Sequence, residues 1–345
     1  MKALVCCVLL FGLSFTVAAS AQQSPDSTLR PLPASPRANA IRSEADLYEA
    51  LKSNNLASVG RLIKQRVDLN QLYQPCLLDV RATAYHAAPF LYWAFLFGCR
   101  REIIEALISS GANVNFRFRE PEDVTLLMEA AYQFPAQSLR FLLNHGAHVN
   151  DRTRSGRTAL MFAVTDGDPG LGERLGSDAT ANTALLISRG ARVGIRDGSG
   201  KTPIMVAALN YQGSAALVSI LLAHGAKAND ADNAGVTPLM WASRPANSKA
   251  VRLLLSHGAS VAACDREGQP ALMHALYPHC SKVDLSGVIQ ALYHAGVNLN
   301  ALNRLGETAL DYATEWRERI GSAVPLLENL HAVHGKNSRS RRPPD

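Results

Sequence analysis

The chain has 345 residues, enough for two or three ordinary domains, and its formal net charge at pH 7 is +6. The charge lies at the two ends: after the first 21 residues, residues 22–42 contribute +2 and residues 336–345 contribute +3, whereas residues 43–335 are neutral overall. Nucleic-acid binding needs a broad cationic surface, so this distribution excludes a phosphate-binding face, and we expect no nucleic-acid partner.

Residues 1–21 have the pattern of a secretory signal peptide. Lys2 precedes an apolar run from Ala3 to Val17, and Ala19-Ser20-Ala21 is typical of a cleavage site. The alternative is an uncleaved membrane anchor, because the run approaches spanning length. A cleaved signal predicts a periplasmic or secreted protein, and no later segment is long and apolar enough to cross a bilayer.

Residues 22–42 contain four prolines together with serines and alanines, and they show no apolar period, which predicts a disordered spacer. From Ser43 onwards apolar residues recur at helical spacing, and two helices are expected to end near Arg66. Asp68-Leu69-Asn70 then matches the ending seen again at Val149-Asn150. This first unit lacks the opening found in the later ones, as is typical of a cap.

The clearest unit occupies residues 235–259. Thr237-Pro238 favours the start of a helix, because Thr caps the first amides and the fixed φ of Pro suits the first turn. Leu254-Leu255 supply the buried stripe of a second helix, and Gly258 ends it where a positive φ is needed. The sequence therefore predicts a hairpin of two helices.

Versions of this unit recur from about residue 43 to about residue 330. The glycines that close the second helix are separated by 35, 44, 35, 33 and 38 residues; they are Gly111, Gly146, Gly190, Gly225, Gly258 and Gly296. The openings are Thr125-Leu126-Leu127-Met128, Thr158-Ala159-Leu160-Met161, Thr202-Pro203-Ile204-Met205, Thr237-Pro238-Leu239-Met240, Pro270-Ala271-Leu272-Met273 and Thr308-Ala309-Leu310-Asp311. Asp311 replaces Met in the last unit, where we expect the helix to face water.

This unit resembles the ankyrin repeat, whose signature is Thr-Pro-Leu-His-x-Ala with a period of about 33 residues. Methionine stands here where the family consensus has histidine. The resemblance implies an all-α fold, an ankyrin-repeat solenoid of about seven to eight helix-hairpin repeats with short β-hairpin-like tips, over residues 43–335. Residues 336–345 are expected to form a basic, disordered tail.

Two short segments imitate ligand-binding motifs. Gly198-Ser199-Gly200-Lys201-Thr202 has the ending of a phosphate-binding loop, but Ile195 occupies the place of its first glycine. The insertion at residues 165–178 contains Asp166 and Asp168, which leaves open a metal-binding or enzymatic use, although the third carboxylate and the bidentate Glu of a calcium loop are missing. We expect neither a cofactor nor a resident metal.

Four cysteines remain after residue 21, and an even number permits disulfides in an oxidising compartment. The pairs nearest in sequence are Cys76 with Cys99 and Cys264 with Cys280. Each pair brackets a helix of roughly 15 Å, longer than the Cα separation of a disulfide. Buried free thiols are therefore the alternative.

Four histidines precede the end of a second helix, where a partly charged imidazole favours the negative helix terminus; they are His145, His224, His257 and His294. Stacked repeats would keep them in a row rather than converging on a metal. No metalloprotease motif, nucleophile elbow or paired zinc-type cysteines is present, so we expect no enzyme.

The ankyrin resemblance implies a concave protein-binding face formed by the tips and the inner helices. We call the methionines at the fourth position of the openings the methionine column. The position that follows this column is rich in aromatic residues, which suit an interface if they are exposed together. That row is Tyr92, Glu129, Phe162, Val206, Trp241, His274 and Tyr312. The tips add Arg117, Arg119, Arg152, Arg154, Arg196, Arg266 and Arg304. Part of the row could instead pack between repeats.

These expectations describe a non-enzymatic, monomeric scaffold or adaptor with a protein partner. A second hypothesis is an inhibitor or immunity protein that neutralises an exported toxin or hydrolase. A third, resting on the insertion at residues 165–178, is an enzyme or metal-binding protein.

Overall fold

The computed structural model describes residues 36–74, 88–118, 122–165, 178–210, 214–244, 247–276, 285–315 and 323–335. The chain divides into two compact units, Met1–Arg42 and Ser43–Asp345. The signal-peptide segment, most of the 22–42 spacer, the insertion core at residues 166–177 and the basic tail lie outside the described residues.

The described residues are mostly helical. The sixteen helices in this described part of the chain are α1 (Pro36–Lys52), α2 (Leu56–Lys64), α3 (Phe90–Leu96), α4 (Arg101–Ser109), α5 (Leu126–Gln133), α6 (Ala136–Asn144), α7 (Ala159–Val164), α8 (Ala179–Ser188), α9 (Pro203–Ala208), α10 (Ser214–Ala223), α11 (Pro238–Ser243), α12 (Ser248–Ser256), α13 (Ala271–Ala275), α14 (Ser286–His294), α15 (Ala309–Glu315) and α16 (Ala323–Asn329). In chain order they form eight successive pairs, α1–α2 to α15–α16. None of them is long and apolar enough to cross a membrane.

Helix α1 begins earlier than expected. It starts at Pro36, inside the predicted spacer, rather than near Ser43. A proline suits the first turn of a helix because its fixed φ is helical and its missing N–H is not needed there. The prediction of a spacer up to residue 42 is therefore wrong for residues 36–42.

Two strands form the tip between the second and third pairs. β1 (Arg117–Phe118) pairs antiparallel with β2 (Val124–Thr125), and Arg117 lies opposite Thr125. Isolated bridges join Tyr73 to Ala88 and Cys264 to Pro270. Other described tips are turns without regular strands, so the expected hairpin-like tips are found in reduced form.

The first helices of successive pairs form an inner row, and the second helices form an outer row. In the inner row α5, α7, α9, α11, α13 and α15 each pack against the next, and the outer row is continuous from α6 to α16. The inner helices are covered from several sides, and every residue of α5, α7 and α11 is buried. An outer helix such as α6 buries only one face, through Leu139 and Leu142.

The methionine column lies in this inner row. Met128, Met161, Met205, Met240 and Met273 are all buried, each three residues after the opening position. The Thr125 and Thr237 N–H groups donate to the sulfurs of Met128 and Met240 at 3.4 Å. The equivalent methionines therefore occupy similar surroundings, as the repeat pattern predicts.

Asparagines clamp neighbouring pairs at the closing end of the outer helices. The Asn229 amide donates to the Gly258 carbonyl at 2.8 Å and accepts from the Ser260 N–H at 2.7 Å. Asn70, Asn115 and Asn150 make the same two bonds to the following pair. Each clamp satisfies backbone groups that the helix end leaves open.

Candidate interaction surface

The turn of each tip is built around an aspartate. The Asp197 carboxylate accepts from the Ser199 and Lys201 N–H groups, both at 2.9 Å. Asp232 and Asp265 each accept in the same way from the N–H groups two and four residues ahead. These carboxylates brace the backbone of the tips and are oriented by it.

Three of the predicted tip arginines form a relay along successive tips. Arg117 donates to the Arg152 carbonyl at 3.1 Å, Arg152 to the Arg196 carbonyl at 2.6 Å, and Arg196 to the Ala231 carbonyl at 2.6 Å. Arg117 also pairs with Asp151 at 2.7 Å, and Arg196 pairs with Asp230 at 3.1 Å. These guanidinium groups join one tip to the next and are engaged within the protein.

The remaining tip arginines differ in their surroundings. Arg154, Arg266 and Arg304 are exposed, and the backbone N–H of each donates to a carbonyl of the preceding tip. Arg119 lies outside the described residues. The tips therefore present five of the predicted arginines to solvent, and the guanidinium groups of two of them, Arg152 and Arg196, belong to the relay.

The aromatic row is more deeply buried than expected. Tyr92, Glu129, Phe162 and His274 are at most 1% exposed, and Trp241 is 8% exposed. Val206 and Tyr312 are half-buried, and the Tyr312 hydroxyl accepts from the Gln269 amide at 2.7 Å. The expectation of an exposed row is wrong for its five buried members, because stacking of the inner helices covers their side chains.

Cations from neighbouring positions cover two of these rings. The Arg157 guanidinium lies 4.5 Å above the Phe162 ring. The Trp241 ring has the Lys201 ammonium at 4.1 Å and the Arg244 guanidinium at 4.3 Å. The aromatic faces thus serve as a base for the three half-buried cations, which we call the cation strip.

A hydrogen bond to the tip fixes the orientation of the Trp241 side chain. Its indole Nε1–H donates to the Asp232 carboxylate at 3.1 Å. The other oxygen of that carboxylate braces the tip, so the ring, the tip turn and the two cations form one unit.

The electrostatic surroundings of Lys201 reflect this crowding. Partial burial lowers the pKa of Lys201. The carboxylates of Asp197 and Asp232 oppose the shift, while repulsion from Arg244 and Arg157 adds to it. The three cations come from three successive helix pairs and lie close enough to influence one another.

His274 continues the strip towards the C-terminus. Its Nε2–H lies 2.9 Å from the Asp265 carboxylate, and its Nδ1 accepts from the Arg244 Nε–H at 3.1 Å. Arg244 therefore links the Trp241 ring to the buried imidazole. Hydrogen bonds from His274 and from the tip amides outweigh the effect of burial and hold the pKa of Asp265 below its usual value.

The N-terminal end of the row is a buried polar cluster. The Gln133 amide donates to the Glu129 carboxylate, next to Tyr92. Burial, followed by the nearby Glu129 charge, raises the pKa of Tyr92 far above its usual value. This cluster is enclosed between the second and third pairs and contributes to packing rather than to the surface.

The other predicted features have structural surroundings. Cys99 is a free, buried thiol that donates to the Leu51 carbonyl, and burial raises its pKa to about 11. Cys264 is a free, exposed thiol, so neither predicted bridge is present at these two residues. Cys76 and Cys280, their predicted partners, lie outside the described residues.

The histidines at the ends of outer helices bind backbone. The Nδ1 atoms of His145, His224 and His257 each lie 2.8 or 2.9 Å from the carbonyl four residues earlier. Each of these carbonyls also accepts from the backbone N–H of the same histidine, so the imidazole adds a second hydrogen bond at the helix end. Within the described residues no three His, Cys, Asp or Glu side chains are grouped to hold a metal ion.

The segment that imitates a phosphate-binding loop forms a tip. Gly200 has φ +82, and an added Cβ would lie 2.7 Å from the Asn233 N. Asp178, at the end of the insertion, caps α8 by accepting from Thr180 and Ala181. Gly200 in the first segment and Asp178 at the end of the insertion thus have structural roles.

The sequence reasoning missed the cation strip. Arg157 and Lys201 immediately precede the openings Thr158 and Thr202, and Arg244 directly follows α11. Because only tips and the post-Met position were considered, these residues were not selected. Arg157 and Arg244 lie five and three residues from Phe162 and Trp241 in the sequence, which was the available signal, whereas Lys201 lies 40 residues before Trp241 and gave none.

Comparison with known proteins agrees with the repeated helix pairs. A family model described as ankyrin repeats (3 copies) matches residues 91–183 and 174–265, together just over half of the chain. A Fowlpox virus (strain NVSL) protein, named as an ankyrin repeat protein, is 30% identical over 109 residues. That alignment covers 31% of this chain and 29% of the viral protein, so the chain spans well under half of this relative. The successive helix pairs, their recurring openings and the matching family model show that the chain belongs to the ankyrin repeat family.

Proposed function

We propose that this protein is a monomeric, non-enzymatic scaffold of the periplasm or the secreted fraction, built as an ankyrin solenoid of eight repeats. Ankyrin repeats imply a protein-interaction scaffold, and the family is typically non-enzymatic. The partner binds the face formed by the tips and the inner helices. The signal-peptide pattern of residues 1–21 supports the proposed compartment.

The observation that carries this proposal is the cation strip over the aromatic row. Lys201 and Arg244 both contact the Trp241 indole, and Arg157 covers Phe162. Trp and Arg are enriched in the few residues that dominate protein–protein binding. Here the buried rings position the cations, and the cations, rather than the rings, meet the partner.

The strip favours a partner with acidic side chains. The nearby Asp197 and Asp232 carboxylates are held by tip amides, and Asp232 is buried. The half-buried cations therefore carry the accessible charge of this area. Charge complementarity of this kind raises the association rate and selects the partner.

A photo-crosslinking experiment tests the proposal. A benzophenone amino acid replaces Val206, which is half-buried in the row, or Leu253, which is half-buried on the outer helix α12. We expect a specific crosslinked protein in the native compartment from position 206 only. Equal crosslinking from both positions would contradict the assigned face.

Charge reversal tests the strip itself. Lys201→Glu together with Arg244→Glu is expected to weaken recovery of the crosslinked partner at least roughly tenfold, since both cations would repel acidic groups. Lys227→Glu, an exposed lysine of the same repeat, is the matched control. The Trp241→Ala change is unsuitable alone, because the buried indole also supports folding.

A further inference from the structure

A cleft separates the second and third helix pairs on the side of the outer row. Its volume is about 970 Å³, and it is lined by residues 95–101, Ile104 and eight residues of the 134–145 segment, namely Phe134, Pro135, Gln137, Ser138, Arg140, Phe141, Asn144 and His145. The outer helices α4 and α6 approach each other less closely than other neighbours in that row. The stack of helices is therefore open at this junction.

Aromatic rings form a continuous line along the cleft. Phe95 lies 6.0 Å from Phe134 and 6.2 Å from Phe141, and Phe141 stacks on His145 at 4.2 Å. Phe95 and Phe134 are buried, whereas Phe141 is half-buried. The later outer helices have aliphatic residues at the position of Phe141, namely Leu185, Ile220 and Leu253.

The rim of the cleft is cationic. Arg100, Arg101 and Arg140 line it and are all exposed, and none of the described lining residues is acidic. Arg101 pairs with Glu105, which lies outside the lining, at 2.6 Å. A ligand that combines an apolar surface with carboxylates would complement both the rings and the rim.

The shape of the cleft favours a helical ligand. One face of α6 lines it, through Gln137, Phe141, Asn144 and His145, at the spacing of successive helical turns. A helix can lay an apolar stripe against such a ridge, and an open groove admits its polar side to solvent. The rings would then contact the stripe while the arginines flank it.

We propose that this cleft binds a short, acidic amphipathic helix of a partner protein. Apolar side chains of that helix contact Phe97 and Phe141, and its carboxylates pair with Arg100 and Arg140. The site lies in the second and third repeats, whereas the cation strip comes from the fourth to the sixth repeats. The two surfaces can therefore be occupied and tested independently.

The probe is a fluorescein-labelled peptide of about sixteen residues with Leu and Phe on one helical face and Glu elsewhere, titrated with the full chain. Fluorescence anisotropy reports binding. We expect saturable binding that weakens as salt is added. A peptide with Gln in place of Glu, and one with a scrambled order that removes the apolar stripe, are each expected to bind at least roughly tenfold more weakly.

Two protein variants locate the site. Arg100→Glu combined with Arg140→Glu is expected to weaken the acidic peptide at least roughly tenfold, and Phe141→Leu roughly threefold. The matched control is Arg252→Glu, because Arg252 lies six residues before Gly258 as Arg140 lies six before Gly146. Lys201→Glu is the control for the cation strip, and both controls should bind within twofold of the unchanged protein. Circular dichroism melting of each variant separates lost binding from lost folding.

Specific outcomes would overturn the proposal. Tight binding of the Gln peptide would show that pairing between carboxylates and the arginines does not contribute to binding. Equal losses in Arg252→Glu and in the double variant would show that general charge, not the cleft, attracts the peptide. Binding of laurate with the same Arg140 dependence, without binding of the acidic peptide, would assign the cleft to small apolar anions. Loss of peptide binding in Lys201→Glu would place the peptide on the cation strip.

Discussion

The closing residue of each outer helix adopts a left-handed backbone. Among the described helix pairs, glycine occupies this position in the second to the seventh pair, with φ between +78 and +99. In the first and eighth described pairs the position is held by Arg66, with φ +59, and His331, with φ +65. Because a Cβ is disfavoured in this conformation, both terminal repeats carry local backbone strain.

Arg66→Gly and His331→Gly are each expected to stabilise the protein by about 0.5–1 kcal/mol, since glycine relieves the strain but gains entropy in the unfolded chain. Both side chains are exposed, so few contacts are lost. Urea unfolding measures the change. As a control, Arg66→Ala keeps the Cβ and should give no such gain; an equal gain would point to the loss of the arginine charge instead.

A second residue-scale feature is Asp311, which was expected to face water in the last repeat. Instead its carboxylate accepts from the Gly335 N–H at 2.8 Å and from the Thr308 hydroxyl at 2.9 Å, and lies 2.6 Å from His334 Nδ1. Burial acts to raise the pKa of Asp311, but these hydrogen bonds outweigh it and hold the pKa below its usual value. Asp311 therefore fastens the residues after α16 to the last tip.

Asp311→Asn is expected to lower the free energy of unfolding by about 1–3 kcal/mol at neutral pH, because charge-assisted hydrogen bonds are lost. A lowered folded-state pKa stabilises the protein above the unfolded-state pKa, and this contribution disappears as pH falls through the folded-state pKa. The difference between the two proteins should consequently shrink below about pH 4. Urea titrations across acidic pH measure it, and a constant difference would exclude the ionised carboxylate as the cause.

At this scale the sequence predicted types of residue better than their exposure. The methionine column and the closing glycines were predictable because they depend on the period of one repeat. The burial of Phe162 and His274 depends on how closely two neighbouring repeats stack, and the sequence pattern of one repeat does not report the distance between repeats. The cation strip was missed for the same reason, since its members come from three repeats.

At the scale of elements, the asparagine clamps lie four residues after the closing position. Asn70, Asn115, Asn150, Asn229 and Asn300 occupy that place, and each bonds to the next repeat. The fourth and sixth repeats instead have Gly194 and Ala262. These two junctions therefore lack a link that the other junctions share.

Gly194→Asn is expected to stabilise the protein by about 0.5–1.5 kcal/mol, by adding a donor for the Gly225 carbonyl and an acceptor for the Lys227 N–H. An added Cβ meets nothing within 4 Å, and φ at Gly194 is not in the left-handed region. Gly194→Ala is the control, because it removes the glycine without adding the amide group of the clamp. The difference between the two variants is therefore the contribution of the clamp. Equal unfolding free energies for the Asn and Ala variants would show that no clamp forms.

Helix pairs themselves were well predicted, since alternating openings and closings give direct local signals. The early start of α1 at Pro36 was missed because proline was interpreted only as a spacer residue, although it is also favourable in a first helical turn.

At the scale of the whole molecule, the repeats are not joined equally. In a repeat array each unit is stabilised mainly by its neighbours, so a poorly packed junction divides the array into regions of different stability. The cleft between the second and third repeats is such a junction, whereas α5 and α7 pack closely on its C-terminal side.

Hydrogen exchange should reveal this division. Amides of α2 and α4 are expected to exchange at least roughly tenfold faster than those of α7 and α11, because they open without disrupting the tightly stacked inner row. Mass spectrometry of peptic fragments measures the rates. Uniform protection on both sides of the cleft would contradict a weak junction.

The arginine relay divides the tips in a different way. Its side-chain links run from Arg117 to the Ala231 carbonyl, and Asp151 and Asp230 add ion pairs to them. Backbone N–H donors join the tips along the whole described edge, at Arg154, Gly198, Asn233, Arg266 and Arg304. Since mobile ions weaken exposed charge pairs far more than amide hydrogen bonds, the N-terminal tips should lose their additional ion pairs in concentrated salt, while the backbone links of all these tips persist.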